Sequence, residues 1–154
     1  MVIEPYRPDH RGACLALFDS NVPRFFRAEE RGEFEAFLDA PPGPYLVGRV
    51  DAEVIAAGGY AEDASQPGIW MLCWGMVAAP LHRQGFGRAL LHARLQALGA
   101  LPDLREVRIN TSQHTRGFFE RFGFLVTEIE PDGFGPGLHR CAMSRRPSVG
   151  DGGV

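Results

Sequence analysis

The chain has 154 residues, 45% of them hydrophobic, which is the size and composition of one ordinary globular domain with a full core. The formal net charge is −3 and the arginines form no block, so we expect no extended nucleic-acid interface. The first residues lack a basic segment followed by an apolar one. The longest uncharged run, residues 64–81, is interrupted by glycine and proline. We therefore expect neither a secretory signal nor a membrane-spanning segment.

The three cysteines are Cys14, Cys73 and Cys141. They form no C-x-x-C pair and no spacing with histidine that is typical of metal ligands. We interpret them as reduced thiols, which predicts a cytoplasmic protein without a metal site. Cys73 is interpreted as a structural thiol rather than a nucleophile, because no triad partner is identifiable.

Hydrophobic periodicity and turn residues predict one α/β domain over residues 1–147. In chain order we predict a strand at 2–6, a helix through Cys14 and Phe18 that ends at Pro23, a helix at 28–38, strands at 45–50, 53–60 and 69–77, a helix at 86–98, a strand at 106–110, a short helix at 115–122, and strands at 124–129 and 139–144. The Gly- and Pro-rich segment 131–137 is predicted to be a loop, and residues 148–154 a disordered tail.

Residues 69–77 are apolar without polar alternation, which is typical of a strand covered on both faces. We therefore place this strand at the centre of the sheet. The following helix has a broad apolar face that packs on the sheet, and its members are Phe86, Leu90, Ala93, Ala97, Gly87, Leu91, Leu95 and Leu98. Arg88, His92 and Gln96 lie on another face.

A glycine-rich turn connects this strand to this helix, with the sequence His82-Arg83-Gln84-Gly85-Phe86-Gly87-Arg88. The first N–H groups of a helix have no partner within the helix, and the helix dipole adds positive charge. Glycines let a phosphate approach the backbone, so the turn predicts an anion site. Two alternatives are a tight turn without a ligand and a dinucleotide-binding fingerprint. The fingerprint requires a small residue where Leu90 stands.

The turn and a second motif resemble the GNAT family of acyl-CoA-dependent N-acyltransferases, over residues 2–145. The family's phosphate loop has the pattern (Arg/Gln)-x-x-Gly-x-(Gly/Ala), which is matched from His82 to Gly87. Its second motif is a Phe-Tyr pair followed by three residues and Gly-Phe. The corresponding segment of this chain is Phe118-Phe119-Glu120-Arg121-Phe122-Gly123-Phe124. Two residues depart from the family pattern: His82 replaces the Arg or Gln, and Phe119 replaces the tyrosine.

The resemblance implies a GNAT fold, that is, a single mixed, mostly antiparallel sheet of about seven strands flanked by about four helices. It implies acetyl-CoA as the acyl donor. The residues implied to bind this donor are Met76, Val77, Ala78, His82, Arg83, Gln84, Gly85, Phe86, Gly87, Arg88, Asn110, Ser112 and Phe119. The pyrophosphate is expected at 84–88, and pantetheine beside 77–79 like an added strand. Asn110 or Ser112 would hydrogen-bond the pantetheine, and Phe119 would pack against it.

The resemblance also implies the catalytic chemistry. The tetrahedral oxyanion needs a donor in a dry place, and we expect the Val77 N–H to supply it. No carboxylate lies in residues 69–77, so Glu62 and Asp63, at the end of the preceding strand, are the nearest acidic candidates, and Glu62 is the hypothesis for the base. Without the tyrosine, water, Ser112 or His114 could supply the proton to the thiolate. General acid catalysis typically raises the rate about 10²–10⁴-fold, so its loss would slow turnover without abolishing it.

The sequence favours an enzyme that transfers an acetyl group to a primary amine. The alternative is a weak or inactive domain that senses acyl-CoA or holds a partner. The expected acceptor is a small-molecule amine, with a peptide N-terminus as a further option, and a homodimer is one option for assembly. The acceptor would be bounded by the first helices and by the 133–137 loop, and Phe25 and Phe26 either line its pocket or cap the sheet edge.

Overall fold

The computed structural model describes residues 1–147. The strands are β1 (Val2–Pro5), β2 (Tyr45–Val50), β3 (Glu53–Glu62), β4 (Ile69–Val77), β5 (Glu106–Thr111), β6 (Leu125–Gly135) and β7 (Leu138–Arg145). The α-helices are α1 (Arg11–Ser20), α2 (Arg31–Asp39), α3 (Phe86–Gly99) and α4 (Arg116–Glu120). The predicted tail at 148–154 lies outside the described residues.

Within residues 1–147, the strands form one seven-stranded sheet in the order β1-β2-β3-β4-β5-β7-β6. The pairs β1–β2, β2–β3, β5–β7 and β6–β7 are antiparallel, and β4–β5 is parallel. This arrangement confirms the predicted fold class. The central strand has the predicted bounds, since a run buried on both faces has a clear sequence signal.

The chain divides into two compact units, and β4 contributes to both. The first unit comprises residues 1–61 and 73–97. Its core is aromatic: Phe34 is fully buried, with its ring centroid 4.9 Å from that of Trp74 and 5.7 Å from that of Phe18. Helices α1 and α2 contribute the phenylalanines, and β2 and β4 contribute Tyr45 and Trp74. Burial of these large rings anchors the end of α1 close to β4.

The second unit comprises residues 62–72 and the chain from Leu98 onward. Here the first residues of β4 pair with β5, from Ile69 opposite Glu106 to Met71 opposite Arg108. Beyond Met71, β4 continues for six residues to Val77. The short helix α4 ends at Glu120, two residues before the predicted end, and Gly123, the predicted glycine cap, lies in the turn that follows with a φ of +86°.

The predicted loop at residues 131–137 is wrong. These residues extend the β6–β7 hairpin, and only 136–137 form the turn. The register shifts between Glu130, which faces Arg140, and Gly135, which faces Leu138, so the intervening residues form a bulge. Asp132 has a φ of +56°, and its carboxylate accepts a hydrogen bond from the Gly137 N–H at 2.8 Å. Glycine and proline therefore mark a bulged hairpin here.

Candidate functional site at the end of β4

The carbonyl oxygen of Val77, the last residue of β4, accepts two side-chain hydrogen bonds within the first unit. The Asn21 amide Nδ2 donates to it at 2.9 Å, and the His82 Nε2 lies 2.9 Å from it. A carbonyl can only accept, so His82 must carry its proton on Nε2. The two donors use both lone pairs of this oxygen.

Two further hydrogen bonds fix the residues after Val77. The Ala78 N–H donates to the Ile55 carbonyl of β3 at 2.8 Å. The Ala79 N–H donates to the Ser20 hydroxyl at 3.1 Å. We call Ser20, Asn21 and His82 the β4 clasp, because together they tie the end of α1 and the phosphate-loop motif to the end of β4.

The expectation that pantetheine pairs with residues 77–79 like an added strand remains a prediction, and the clasp shows which backbone groups there already have partners. The Val77 carbonyl and the N–H groups of Ala78 and Ala79 already have partners. Within an extended strand, the N–H and C=O of one residue point to the same edge, and the next residue points to the opposite edge. Because Ala78 points to β3, the Val77 N–H points to the other edge.

The phosphate-loop motif has the backbone that an anion site needs. Arg83 and Gly85 have φ values of +64° and +88°, in the left-handed region. A Cβ placed on Gly85 would meet no atom within 4 Å, so the space above this glycine is open. Helix α3 begins at Phe86, and the N–H groups of its first turn have no partner within the helix. Concave backbone of this kind binds anions.

The charge around this loop is locally positive, although the chain as a whole carries −3. Residues 64–102 contain no Asp or Glu but include Arg83, Arg88 and Arg94. Arg83, Gln84 and Arg88 are exposed. A stretch of sequence with arginines and no carboxylates contributes positive potential at the first turn of α3, which favours a phosphate group.

The two phenylalanines of the loop after α1 have different surroundings. Phe26 stacks on Phe18, with ring centroids 5.1 Å apart, and joins the aromatic core. Phe25 contacts the His82 ring edge-on, with centroids 5.1 Å apart. Only Phe25 therefore lies beside the clasp, where it limits the orientations open to the imidazole.

The predicted donor-binding residues of the second unit have local partners. The Asn110 Oδ1 accepts a hydrogen bond from Arg140 at 3.2 Å. Ser112 is buried, and its hydroxyl accepts from the His114 N–H at 3.3 Å. Phe119 is 7% exposed and packs edge-on against Phe118 and Phe124. Their predicted contacts with pantetheine remain predictions.

Glu62, the predicted base, ends β3. Its carboxylate accepts a hydrogen bond from the Gly68 N–H at 3.1 Å, immediately before β4 begins. Val77 ends β4, so the whole nine-residue strand separates the two positions along the chain. Glu62 therefore has a local contact in the loop before β4, and its role as a base remains a prediction.

The thiol of Cys73 is not in a disulfide, and burial raises its pKa, which favours the protonated form over a nucleophilic thiolate.

In the described part of the chain, no group of three or more His, Cys, Asp or Glu side chains could hold a metal ion. Over the same residues, no helix has the length and hydropathy to cross a bilayer.

Two features of this region were missed by the sequence analysis. The clasp joins residues 56 positions apart, Asn21 and Val77, and has no short-range signal. Arg94 is 3% exposed on the sheet-facing side of α3, although arginine is rarely buried. The sequence does contain a signal for the burial of Arg94, because Gly87, Leu91, Arg94 and Leu98 follow the spacing of one helix face.

We predict that Asn21→Ala destabilises the fold by about 1–3 kcal/mol, because it removes a buried donor and one of the two bonds to the Val77 carbonyl. The measurement is urea denaturation, with amide hydrogen exchange of residues 77–82. Gln96→Ala, on the exposed face of α3, is the control and should change stability by less than about 0.5 kcal/mol. Equal stability and unchanged exchange in both variants would contradict the clasp.

Comparison with known proteins places these features in a family. The model of the acetyltransferase (GNAT) family matches residues 14–124. No curated protein matches the sequence.

Solved structures with this fold include a GNAT-family protein from Desulfovibrio desulfuricans, with a TM-score of 0.81, 21% identity, and coverage of 94% of this chain and 98% of that chain. An aminoglycoside 6′-N-acetyltransferase complexed with coenzyme A has a TM-score of 0.75 and 13% identity, covering 96% and 100%. A ribosomal-protein-alanine N-acetyltransferase from Brucella melitensis has a TM-score of 0.74 and 16% identity, covering 96% and 100%.

The family model covers the end of β4, the phosphate-loop motif and the Phe118–Phe119 motif, so these residues fall within the matched region. The chain therefore belongs to the GNAT family of acetyltransferases.

Proposed function

We propose that this acetyltransferase moves an acetyl group from acetyl-CoA to a primary amine by direct attack on the thioester. The observation that carries the proposal is the arrangement at the end of β4. There the Val77 N–H points away from β3, and the clasp holds the adjoining carbonyl. The phosphate-loop motif follows within ten residues of the same chain segment.

The residues present suit the donor. Its pyrophosphate is doubly anionic, and we propose that residues 84–88 hold it through the N–H groups of the first turn of α3, with Arg88 adding positive charge. The open space at Gly85 supports this assignment. The side chain of His82 holds the Val77 carbonyl, so we assign His82 to positioning the loop rather than to direct phosphate contact.

The reaction forms a C–N bond to the amine and breaks the C–S bond of the thioester. The lone pair of the neutral amine attacks the thioester carbon, and the carbonyl π electrons move onto oxygen. We propose that the Val77 N–H donates to this oxyanion, since a preformed donor in a dry site stabilises developing charge. The carbonyl then re-forms, the C–S bond breaks, and CoA leaves as a thiolate while the amine nitrogen loses one proton.

Proton transfer in this proposal relies on solvent. Glu62 is held by the Gly68 N–H at the beginning of β4, and Phe119 offers no acidic proton. A thiol with an ordinary pKa of about 8.5 is a tolerable leaving group near neutral pH. An alkylamine is mostly protonated there, so we expect the rate to rise with pH as more of the acceptor is neutral.

The acceptor is an amine of undetermined structure. Proteins with the same fold are named for acetylation of aminoglycosides and of a ribosomal-protein alanine, that is, of a small molecule and of a protein. We propose a small-molecule amine as the first class to test and a peptide amine as the second. A cytoplasmic location and a homodimer remain predictions.

The proposed function is tested by thiol release from acetyl-CoA, measured with and without an amine, together with mass spectrometry of the amine. The amines are an aminoglycoside, a polyamine and a peptide that begins with alanine. We expect amine-dependent release with one acetyl group gained by the amine for each thiol released. Tight binding of acetyl-CoA with no release across this panel would favour the sensor and contradict the enzyme.

The phosphate-loop assignment is tested by Gly85→Ala. Gly85 has a φ of +88°, which alanine adopts only with strain, and the added methyl group would occupy the open space above the loop. We predict at least roughly tenfold weaker acetyl-CoA binding by calorimetry, a loss of about 1.4 kcal/mol. Gly12→Ala is the matched control, since a Cβ there also meets nothing within 4 Å but lies in α1. Equal affinities in the two variants would contradict the assignment.

A further inference from the structure

The side chain of Arg94 is buried against two strands of the first unit. It is 3% exposed and occupies the space that side chains on Gly58 and Gly75 would need. A Cβ on Gly58 would lie 3.0 Å from the guanidinium carbon, and one on Gly75 would lie 3.0 Å from Nη2. Glycine on both strands therefore forms a cradle for the guanidinium, which places its charge directly against β3 and β4.

This buried charge has no acidic partner among residues 1–147. Its one hydrogen bond there is a long one, from Nη1 to the Gly59 carbonyl at 3.4 Å, and Nε has no partner. The titratable groups that interact with it are Tyr45 and Cys73, and burial raises the pKa of both, so both are neutral at physiological pH. Burial lowers the pKa of Arg94 itself to about 10, which leaves it charged near neutral pH. An unpaired buried cation destabilises a fold.

The cradle lies close to the proposed oxyanion donor. Gly75 precedes Val77 by two residues on β4, so their Cα atoms are about 7 Å apart. Gly75 is exposed although it belongs to a central strand, and Trp74 just before it has a φ of +43°. The guanidinium thus lies beneath a stretch of β4 backbone that solvent or a ligand can reach.

We propose that Arg94 is an electrostatic positioning residue, a buried cation beneath β4 that stabilises the negative charge formed beside the Val77 N–H during acetyl transfer. The inference rests on the proposed function. Arg94 does not touch the reacting atoms. Its field acts through the Gly75 backbone, and the glycine cradle keeps the charge in place.

The negative charge that Arg94 would stabilise forms during the attack of the amine on the thioester. As the amine nitrogen bonds to the thioester carbon, a full negative charge forms on the carbonyl oxygen, and it passes to the thiolate sulfur when the C–S bond breaks. A cation roughly 10 Å away, at an effective dielectric constant of about 20, favours that charge enough to raise the rate on the order of 10- to 20-fold.

The test compares Arg94→Met with Arg94→Lys. The methionine and lysine side chains have similar length but differ in charge. We expect Arg94→Met, assayed at saturating acetyl-CoA, to lower kcat on the order of 10- to 20-fold. We also expect its Tm to rise by at least about 2 °C, because an unpaired buried charge is removed. A structural role predicts the opposite change in Tm.

The lysine variant adds a readout in pH. A buried lysine has a lowered pKa, so its charge is lost as pH rises. The ratio of Arg94→Lys to wild-type kcat should therefore fall toward the Arg94→Met value between about pH 6 and 9, whereas the Arg94→Met ratio stays flat. Taking ratios removes the titration of the amine. Arg11→Met, at an exposed arginine paired with Asp39, is the control and should keep wild-type kcat.

Three results would overturn the proposal: wild-type kcat in Arg94→Met, a lowered Tm in that variant, or equal pH-independent losses in both variants. Failure of the proposed function is recognised separately. If wild-type protein binds acetyl-CoA but releases no thiol with any amine of the panel, acetyl transfer itself is rejected, and the role of Arg94 with it. If wild-type protein turns over and Arg94→Met matches it, only the Arg94 inference fails.

Discussion

The hydrogen bonding of one carbonyl oxygen, that of Val77, is the constraint on which the site depends. Asn21 from the segment after α1 and His82 from the phosphate-loop motif both bind this oxygen. Through it, the aromatic core that anchors α1, the end of β4 and the start of the loop are held in one arrangement. Removing either donor would leave this oxygen with a single side-chain hydrogen bond and would free one of the two segments that it joins.

The same constraint explains why the chain departs from the family pattern at His82. An Arg or Gln at that position is replaced by an imidazole that bonds to the Val77 carbonyl and is flanked by Phe25. The proposed phosphate role then rests on backbone N–H groups and on local positive charge, which depend little on the identity of residue 82. The departure at Phe119 has a different structural role, that of packing, since this ring lies between Phe118 and Phe124.

The sequence predicts the parts of this structure that have local signals. An uninterrupted apolar run sets the bounds of β4, and glycine in the loop before α3 marks the left-handed backbone at Gly85. Composition alone could not separate a loop from a bulged hairpin at residues 131–137, because Gly and Pro serve both. The clasp depends on tertiary contacts between distant residues. The burial of Arg94 has only one sequence signal, its helical spacing with Leu91 and Leu98, and this signal competes with the rarity of buried arginine.

Charge is distributed unevenly, and this links the fold to the proposed chemistry. The stretch from residue 64 to 102 contains no carboxylate, while arginines stand at the loop and beneath β4. One group, Arg88, is exposed where pyrophosphate is proposed to bind, and the other, Arg94, is buried where negative charge is proposed to form. A protein with net charge −3 thus keeps its positive potential where an anionic donor and an anionic intermediate would need it.

The central claim is that the donor's phosphates lie at the glycine loop and its thioester lies at the Val77 N–H. The most direct measurement is amide NMR of the ¹⁵N-labelled protein, titrated in parallel with CoA and with acetyl-CoA. The account predicts that the Gly85 and Gly87 amides shift alike with both ligands, while the Val77 amide responds differently to acetyl-CoA and to CoA. Identical Val77 responses to the two ligands, or glycine amides that do not move, would contradict it.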